Sequence, residues 1–467
     1  MEFLKTFMVM YFRLPTLFLF LVSFSLYAQK IELINSGEVI EKGKILYDSG
    51  RFDDAVLTYK AIDRRDTNYV YMLSELAMAY LGAEDYPNAI NAAEEGITLS
   101  SIYKAHLYRS LAIALDRGGH FEKSVETFNK AIAEYPFDYS LHYNLGITYF
   151  NHKEYEKAGT KFFETLSLNP FHGGSHFNLG KLMVLQGRKT QALMALGIYM
   201  GVSPSDNGAL VYLEHVLKNE IPEEGSVETN EPNHFARLDQ MIRAKLAMDK
   251  GFKSNIPADV AVVKQFELFF DQMPKGIDNP DDPWLSFYLS TYQALKAAGH
   301  NETFIYHIVT SAPLDKAEKW RKKNDKQLKD FYAAANKALG AHRTPKLYPP
   351  IDKDKPVSFW YSESNKLEAI GNQISDSKRT GRWVYFYDNG ERSAEGAYTA
   401  NGEKTGVWTY YYSTGRVKSI EDQESGEIKT YNVDGEPVER YFTKNDVVNG
   451  DVEIFYRCGM IQRKTRP

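Results

Sequence analysis

The sequence predicts a multi-domain α + β chain: a helical solenoid, a helical middle, and an antiparallel ribbon of β-hairpins. Three observations predict it. A 34-residue period runs from 36 to 206, helical apolar spacing continues to about 340, and a proline-rich stretch at 344–356 is followed by period-two alternation. The chain has 467 residues, 43% of them hydrophobic and 25% charged, enough for about three units with sizeable cores. Its 56 basic and 61 acidic residues leave a net charge of -5, which excludes an overall pull toward nucleic acid or an anionic membrane.

Residues 1–28 read as a signal peptide rather than fold. Lys5 and Arg13 precede an apolar run from Leu14 to Tyr27, and the small residue Ala28 stands before Gln29. The run is shorter than the ~20 residues that span a bilayer as a helix, so cleavage and export to a periplasmic or secreted location are expected, with no integral membrane segment afterwards. The only cysteine, Cys458, is far from that site, which argues against a lipid anchor and leaves no internal disulfide.

The solenoid is read as residues 36–218. Its clearest copy contains Leu145, Gly146, Tyr149, Tyr155, Ala158, Phe162 and Pro170, echoed 34 residues later by Leu179, Gly180, Met183, Gly187, Ala192, Leu196 and Pro204. The same step gives five copies: 36–69, 70–103, 105–138, 139–172 and 173–206. Each copy encodes two antiparallel helices, with Gly or Ala where backbones approach and large apolar residues where they interlock. Gly50, Gly119 and Gly187 end first helices in a left-handed residue, and Pro136, Pro170 and Pro204 stop second helices. Thr67 and Ser101 stand where that proline is expected in the first two copies, and Ser124 replaces the small alanine of the third. Asn207 to Lys218 reads as a capping helix over the last apolar face.

These residues resemble the tetratricopeptide repeat family over roughly 170 positions. The resemblance implies a concave face lined by first helices. Carrying the family's inward positions over places Tyr71, Met78, Ile113, Tyr143, Ile147, Phe150 and Phe177 there, with Lys44, Arg109, Arg117, Asn151 and Lys181 among them. Aromatic anchors ringed by basic groups suit an extended acidic or amphipathic peptide. The partner-binding set is therefore Tyr71, Met78, Arg109, Ile113, Tyr143, Phe150, Phe177 and Lys181.

Residues 219–233 carry five glutamates from Glu220 onward, two prolines and little that is apolar, which predicts a solvated acidic linker. Over 234–343, Phe235, Leu238, Met241, Ile242 and Leu246 mark one amphipathic helix, and Val260, Val263, Phe266, Phe269 and Phe270 a second. Asp282 caps a third containing Trp284, Phe287, Tyr288 and Tyr292, and a long charged helix runs from about Pro313 to Gly340. The 34-residue frame does not fit here, so a separate bundle and decayed repeats both remain open.

Residues 357–467 carry a second repeat. Gly381 to Tyr387 with Asn389-Gly390 recurs 25 residues later as Gly406 to Tyr412 with Thr414-Gly415, with weaker copies from Gly426 and Gly450. Alternation puts Trp383, Tyr385 and Tyr387 on one face with Trp408, Tyr410 and Tyr412, each unit being a strand, a tight turn and a return strand. The pattern resembles MORN-type repeats in their bacterial antitoxin-like variant, which implies an elongated binding or scaffolding ribbon. Glu421 departs from it by replacing a glycine. The Trp/Tyr stripe reads first as the ribbon's core, and second as a platform for glycan stacking.

No Walker loop, dinucleotide fingerprint, His-Glu-x-x-His or Gly-x-Ser-x-Gly occurs, and Cys458 lacks a histidine context. His142, His172 and His176 read as surface histidines rather than metal ligands, because Gly173 and Gly174 interrupt the pair. The sequence thus points to an exported, non-enzymatic adaptor of the cell envelope without metal or cofactor. It would bind a protein or peptide on its solenoid and offer a second surface on its ribbon. Capture of an envelope carbohydrate or peptide as nutrient is the alternative.

Overall fold

The computed structural model describes residues 35–343, 357–360 and 367–465, apart from 67, 100–102, 219, 230–231, 248–260, 277, 311–314, 376–377, 389, 414, 434, 445–446 and 456–459. The expected signal segment, the proline-rich stretch and Cys458 lie outside the described residues.

Five helix pairs occupy the first repeat region. They are α1 (Ser36–Asp48) with α2 (Phe52–Tyr59), α3 (Tyr69–Gly82) with α4 (Tyr86–Thr98), and α5 (Lys104–Arg117) with α6 (Phe121–Glu134). Next come α7 (Tyr139–Asn151) with α8 (Tyr155–Leu168), then α9 (Gly173–Leu185) with α10 (Lys189–Val202), and α11 (Asn207–Leu217) follows. Gly50, Gly119 and Gly187 close their first helices at φ of 77°, 83° and 68°, and Glu84 and Lys153 fill the same left-handed slot at 58° and 63°. Small residues on first helices receive large ones from second helices. A Cβ at Gly43, Gly146 or Gly180 would overlap Tyr59, Phe162 or Leu196, respectively, and buried Ala112 stands at the same place opposite buried Phe128.

The middle is not a detached bundle. Its helices are α12 (Ala236–Ala247), α13 (Ala261–Gln272), a π-helical turn (Trp284–Leu289) running into α14 (Ser290–Ala297), α15 (Asn301–Ile308), α16 (Asp315–Lys323) and α17 (Asp325–Gly340). The long charged helix expected from Pro313 is thus two helices, parted at Asn324. One apolar core runs from Ala105 to Leu339, so these helices pack on the solenoid. Its focus is α10, from which even Lys189 and Gln191 are buried. Gly197 leaves room for Phe266 and Tyr292, and the Tyr292 hydroxyl donates to the Met194 carbonyl at 2.8 Å. The cap α11 is itself covered: α13 packs beyond it, and Glu214 accepts from the Val262 amide at 2.9 Å.

The acidic segment is largely exposed, as expected, but it is also fastened to the solenoid. The Gly225 and Val227 amides donate to the Val184 and Leu185 carbonyls at 3.1 and 2.8 Å, and Glu224 pairs with the buried Lys189 ammonium at 2.8 Å. Asp239, just beyond it, accepts from the amide and hydroxyl of Thr190 at 2.7 and 2.6 Å and so caps α10 from another element.

The strands are β1 (Val357–Trp360), β2 (Leu367–Ser375), β3 (Lys378–Phe386), β4 (Arg392–Tyr398), β5 (Lys404–Tyr411) and β6 (Val417–Asp422). They continue as β7 (Glu427–Tyr431), β8 (Pro437–Lys444), β9 (Val447–Val448), β10 (Val452–Phe455) and β11 (Ile461–Thr465). They form one antiparallel meander in chain order, with short β9 set aside on β8. Three hairpins turn alike at Gly390, Gly415 and Gly435, with φ of 88°, 79° and 85°. Trp383 and Trp408 are buried, and their indole N–H groups donate to the Asn372 and Ala397 carbonyls at 2.9 and 3.1 Å. Each ring lies over a glycine, Gly371 or Gly396, where a Cβ would overlap it. One unit later Glu421 takes the glycine's place and its cross-strand partner is Ile428: with the glycine lost, the tryptophan is lost too.

The other face of β2 and β3 docks on the solenoid, a contact the sequence does not predict. Phe137 and Leu168, at the ends of the third and fourth copies, bury with Leu367, Ile370, Val384 and Phe386. The Tyr135 hydroxyl donates to Glu391 at 2.9 Å. Burial pushes the Glu391 carboxyl above its ordinary range, against the opposing pull of the Tyr135 hydrogen bond.

Candidate functional site

First helices α3, α5, α7 and α9 carry, two apiece, the eight residues expected on the concave face. All eight are half-buried, and the six apolar ones pack against the core. Met78 and Tyr71 sit on the core of the first two copies, Tyr143, Phe150 and Phe177 on that of the last three, and Ile113 touches both.

The structure brings these side chains together in two groups. Toward the C-terminal end, the Lys181 ammonium lies 5.2 Å from the centre of the Phe150 ring and 5.9 Å from that of Phe177. Phe177 in turn packs on Tyr199 and Tyr212 at 5.1 and 5.9 Å. Tyr143 lies edge-on to His172 at 4.5 Å, its hydroxyl accepts from Asn178 at 3.4 Å, and Gly174 leaves the space its ring occupies. Burial raises the Tyr143 phenol above its ordinary value.

Toward the N-terminal end, Tyr71 stacks on Tyr103 with ring centres 4.7 Å apart. Arg109 is held by its hydrogen bond to the Ser140 hydroxyl at 3.0 Å, which fixes the guanidinium across two copies. Glu75 was not foreseen. Burial raises its carboxyl, and the positive charges of Lys44 and Arg109 oppose that rise. Asn144 and Asn178 were also missed. Each donates to the carbonyl four residues back, Ser140 at 2.7 Å and Gly174 at 2.8 Å, and their 34-residue spacing was the available signal.

The histidines are not surface residues. His142 and His176 are buried, and each bonds through Nε2 to the proline carbonyl six residues earlier, Pro136 at 3.1 Å and Pro170 at 2.9 Å. Their Nδ1 atoms meet Glu164 at 2.9 Å and the Tyr288 hydroxyl at 2.7 Å. Both therefore tie the end of one copy to the first helix of the next. Desolvation pushes His176 down to about 3 and His172, half-buried at the start of α9, to about 4. Among the described residues no three His, Cys, Asp or Glu side chains gather as a metal site.

The sheet offers a second aromatic array. Trp383, Tyr385, Tyr398, Trp408 and Tyr410 pack in sequence, with the Arg379 guanidinium 4.8 Å from the Trp383 ring and the Lys404 ammonium 4.8 Å from that of Trp408. Both indoles are covered, so the stripe serves as core and leaves no open tryptophan face for a sugar ring.

Comparison with known proteins agrees with the repeat frame. The family model of the tetratricopeptide repeat matches residues 40–101 and 109–171. A thermophilic TPR protein of Thermus thermophilus is 21% identical over 39% of this chain and 98% of its own, with a TM-score of 0.35. MamA (41-end) from Desulfovibrio magneticus RS-1 is 17% identical over 38% of this chain and 99% of its own, at 0.30. YrrB, described as a TPR protein with an unusual peptide-binding site, is 16% identical over 37% of this chain and 89% of its own, at 0.28. No curated protein matches the chain. Residues 40–101 and 109–171 thus carry tetratricopeptide repeats, an architecture whose stacked units form an extended binding surface.

Proposed function

We propose that the protein is an exported, non-enzymatic adaptor that holds an extended acidic or amphipathic segment of a partner in the first-helix groove. One observation carries this reading: the groove presents half-open aromatic rings beside cations already held in place, Lys181 over Phe150 and Phe177, and Arg109 on Ser140. Such pre-set anchors bind with little further loss of side-chain freedom. The β-domain, read as MORN-like hairpins, supplies the second surface of the adaptor, and the signal-like start supports an envelope location.

Binding kinetics with a partner captured by the full chain test the proposal. Arg109→Glu is expected to slow association, with the effect shrinking as salt is added, and Tyr143→Ala to speed dissociation, each costing about 1–3 kcal/mol. Unchanged affinity in both variants, with helicity intact, would overturn it.

A further inference from the structure

A concavity of about 290 Å³ lies apart from the first-helix groove, between the end of α10 and helices α14, α15 and α17. That is roughly twice the ~150 Å³ of an apolar cavity that stays dry and takes up benzene. Two small residues make the room. Gly201 on α10 and Ala335 on α17 both line it, and a Cβ at Gly201 would meet only the Phe304 ring, at an ordinary 3.7 Å. Phe171, Phe304, Phe331 and Tyr332 supply aromatic wall, and the buried Ile198, Leu295 and Leu339 supply aliphatic wall.

Among the described residues of the lining none carries a charge, and the buried polar groups at the wall are already matched. The Thr291 hydroxyl donates to the Phe287 carbonyl at 2.7 Å and meets His342 Nε2 at 3.0 Å. His307, its ring 5.2 Å from that of Tyr332, donates from Nε2 to the Gly201 carbonyl at 2.9 Å, which leaves Nδ1 to accept from the Tyr332 hydroxyl at 3.4 Å. Burial disfavours the protonated form of that imidazole. An ion entering here would give up its hydration and find no counter-charge. One polar group of a ligand can be met at the mouth, where Asn336 is exposed one turn beyond Tyr332 on α17.

The surroundings favour a free molecule over a protein partner. The exposed side of α17 carries Lys326, Lys329, Asp330 and Lys337, and Tyr332 is the one exposed large apolar side chain on α14, α15 and α17 among the described residues. A docked protein segment would need an apolar apron that this rim lacks. A small molecule needs only the concavity.

We propose that this pocket binds an uncharged aromatic small molecule of about one or two rings, independently of the groove. The four aromatic walls favour a ring over an alkyl chain because they offer it edge and face contacts.

Ligand-observed NMR titration and thermal unfolding of the full chain test this with three probes: indole, its cationic relative tryptamine, and 1-hexanol. Indole is expected to bind saturably, one to one, and to raise the unfolding midpoint, with tryptamine weaker by ~10-fold or more and hexanol weaker than indole. Gly201→Leu and Ala335→Leu each fill the space and should weaken indole by ~10-fold or more, while Lys181→Ala in the groove leaves it unchanged. Three results would overturn the proposal: no saturable binding of indole up to its solubility, tryptamine or hexanol binding as tightly as indole, or unchanged indole affinity in whichever filled variant keeps its helicity.

Discussion

The α-repeats and the β-repeats solve one packing problem by the same device and with opposite consequences. In both, a glycine receives a bulky side chain from the next element: Gly146 takes Phe162 and Gly180 takes Leu196 among the helices, Gly371 takes Trp383 and Gly396 takes Trp408 among the strands. In the solenoid the contact closes the space between the two helices of a copy, and Tyr143 and Phe150, beside Gly146 on α7 with rings 6.0 and 6.5 Å from that of Phe162, stay half-buried. In the sheet the ring lies down on its neighbour's backbone, so the largest aromatics are consumed as core. The comparison teaches that a repeated aromatic marks a binding surface only where another residue already closes the repeat.

The largest effects probe that shared device. Phe162→Ala and Trp408→Ala should each cost about 3–5 kcal/mol, since both side chains are fully enclosed. The two losses should spread differently. Phe162 belongs to the core that joins the solenoid to the middle helices and should lower their common transition, whereas Trp408 should raise amide exchange in β4 to β6 and leave the helices protected. Loosening of the helical body by Trp408→Ala would break the comparison. Next, Phe137→Ala, which removes the ring packed 5.3 Å from Phe386, should cost about 3 kcal/mol and split unfolding into separate helical and sheet transitions in scanning calorimetry.

A smaller effect concerns pH. His176 titrates near 6.5 when unfolded but at about 3 in the buried fold. Between those values the unfolded chain binds a proton that the folded chain does not, so stability falls as pH drops below ~6.5, at about 1.4 kcal/mol per pH unit for this group. Melting curves between pH 7.5 and 5 should be at least that steep, since His172, held at about 4, adds in the same direction, and His176→Gln should remove only its own share; equal slopes would place the acid sensitivity elsewhere. The smallest effect is a gain. Lys153→Gly relieves a non-glycine residue at φ 63° and should stabilise the solenoid by about 0.5–1 kcal/mol in chemical denaturation.

What the sequence made legible follows from these contacts. The helix pairs, their left-handed ends and the hairpins were readable because each depends on nearest-neighbour spacing. The docking of the middle helices was not, although α10 carried a hint: Ala192, Leu193, Met194, Ala195, Leu196 and Ile198 are apolar without a polar side, the pattern of a helix covered all round. The acidic segment misled because glutamate composition says nothing of Lys189 buried opposite Glu224. His142 and His176 misled because histidine suits surface and interior alike, and only the proline carbonyls they bind distinguish the two. Register sufficed to place the eight expected residues on first helices, whereas Glu75 needed the positions of Lys44 and Arg109 to acquire meaning.

The central claim is that the first helices, and not the sheet, receive the acidic or amphipathic segment, the sheet being left to a second partner. A photo-reactive phenylalanine analogue placed at Ile113 in the groove, and in a second full-length variant at Thr430 on the sheet, tests it in the native host. The account predicts one discrete protein adduct from position 113 that disappears when Arg109→Glu is added, and no such adduct from position 430. An adduct from 430 alone, or one from 113 that survives the Arg109 change, would contradict it.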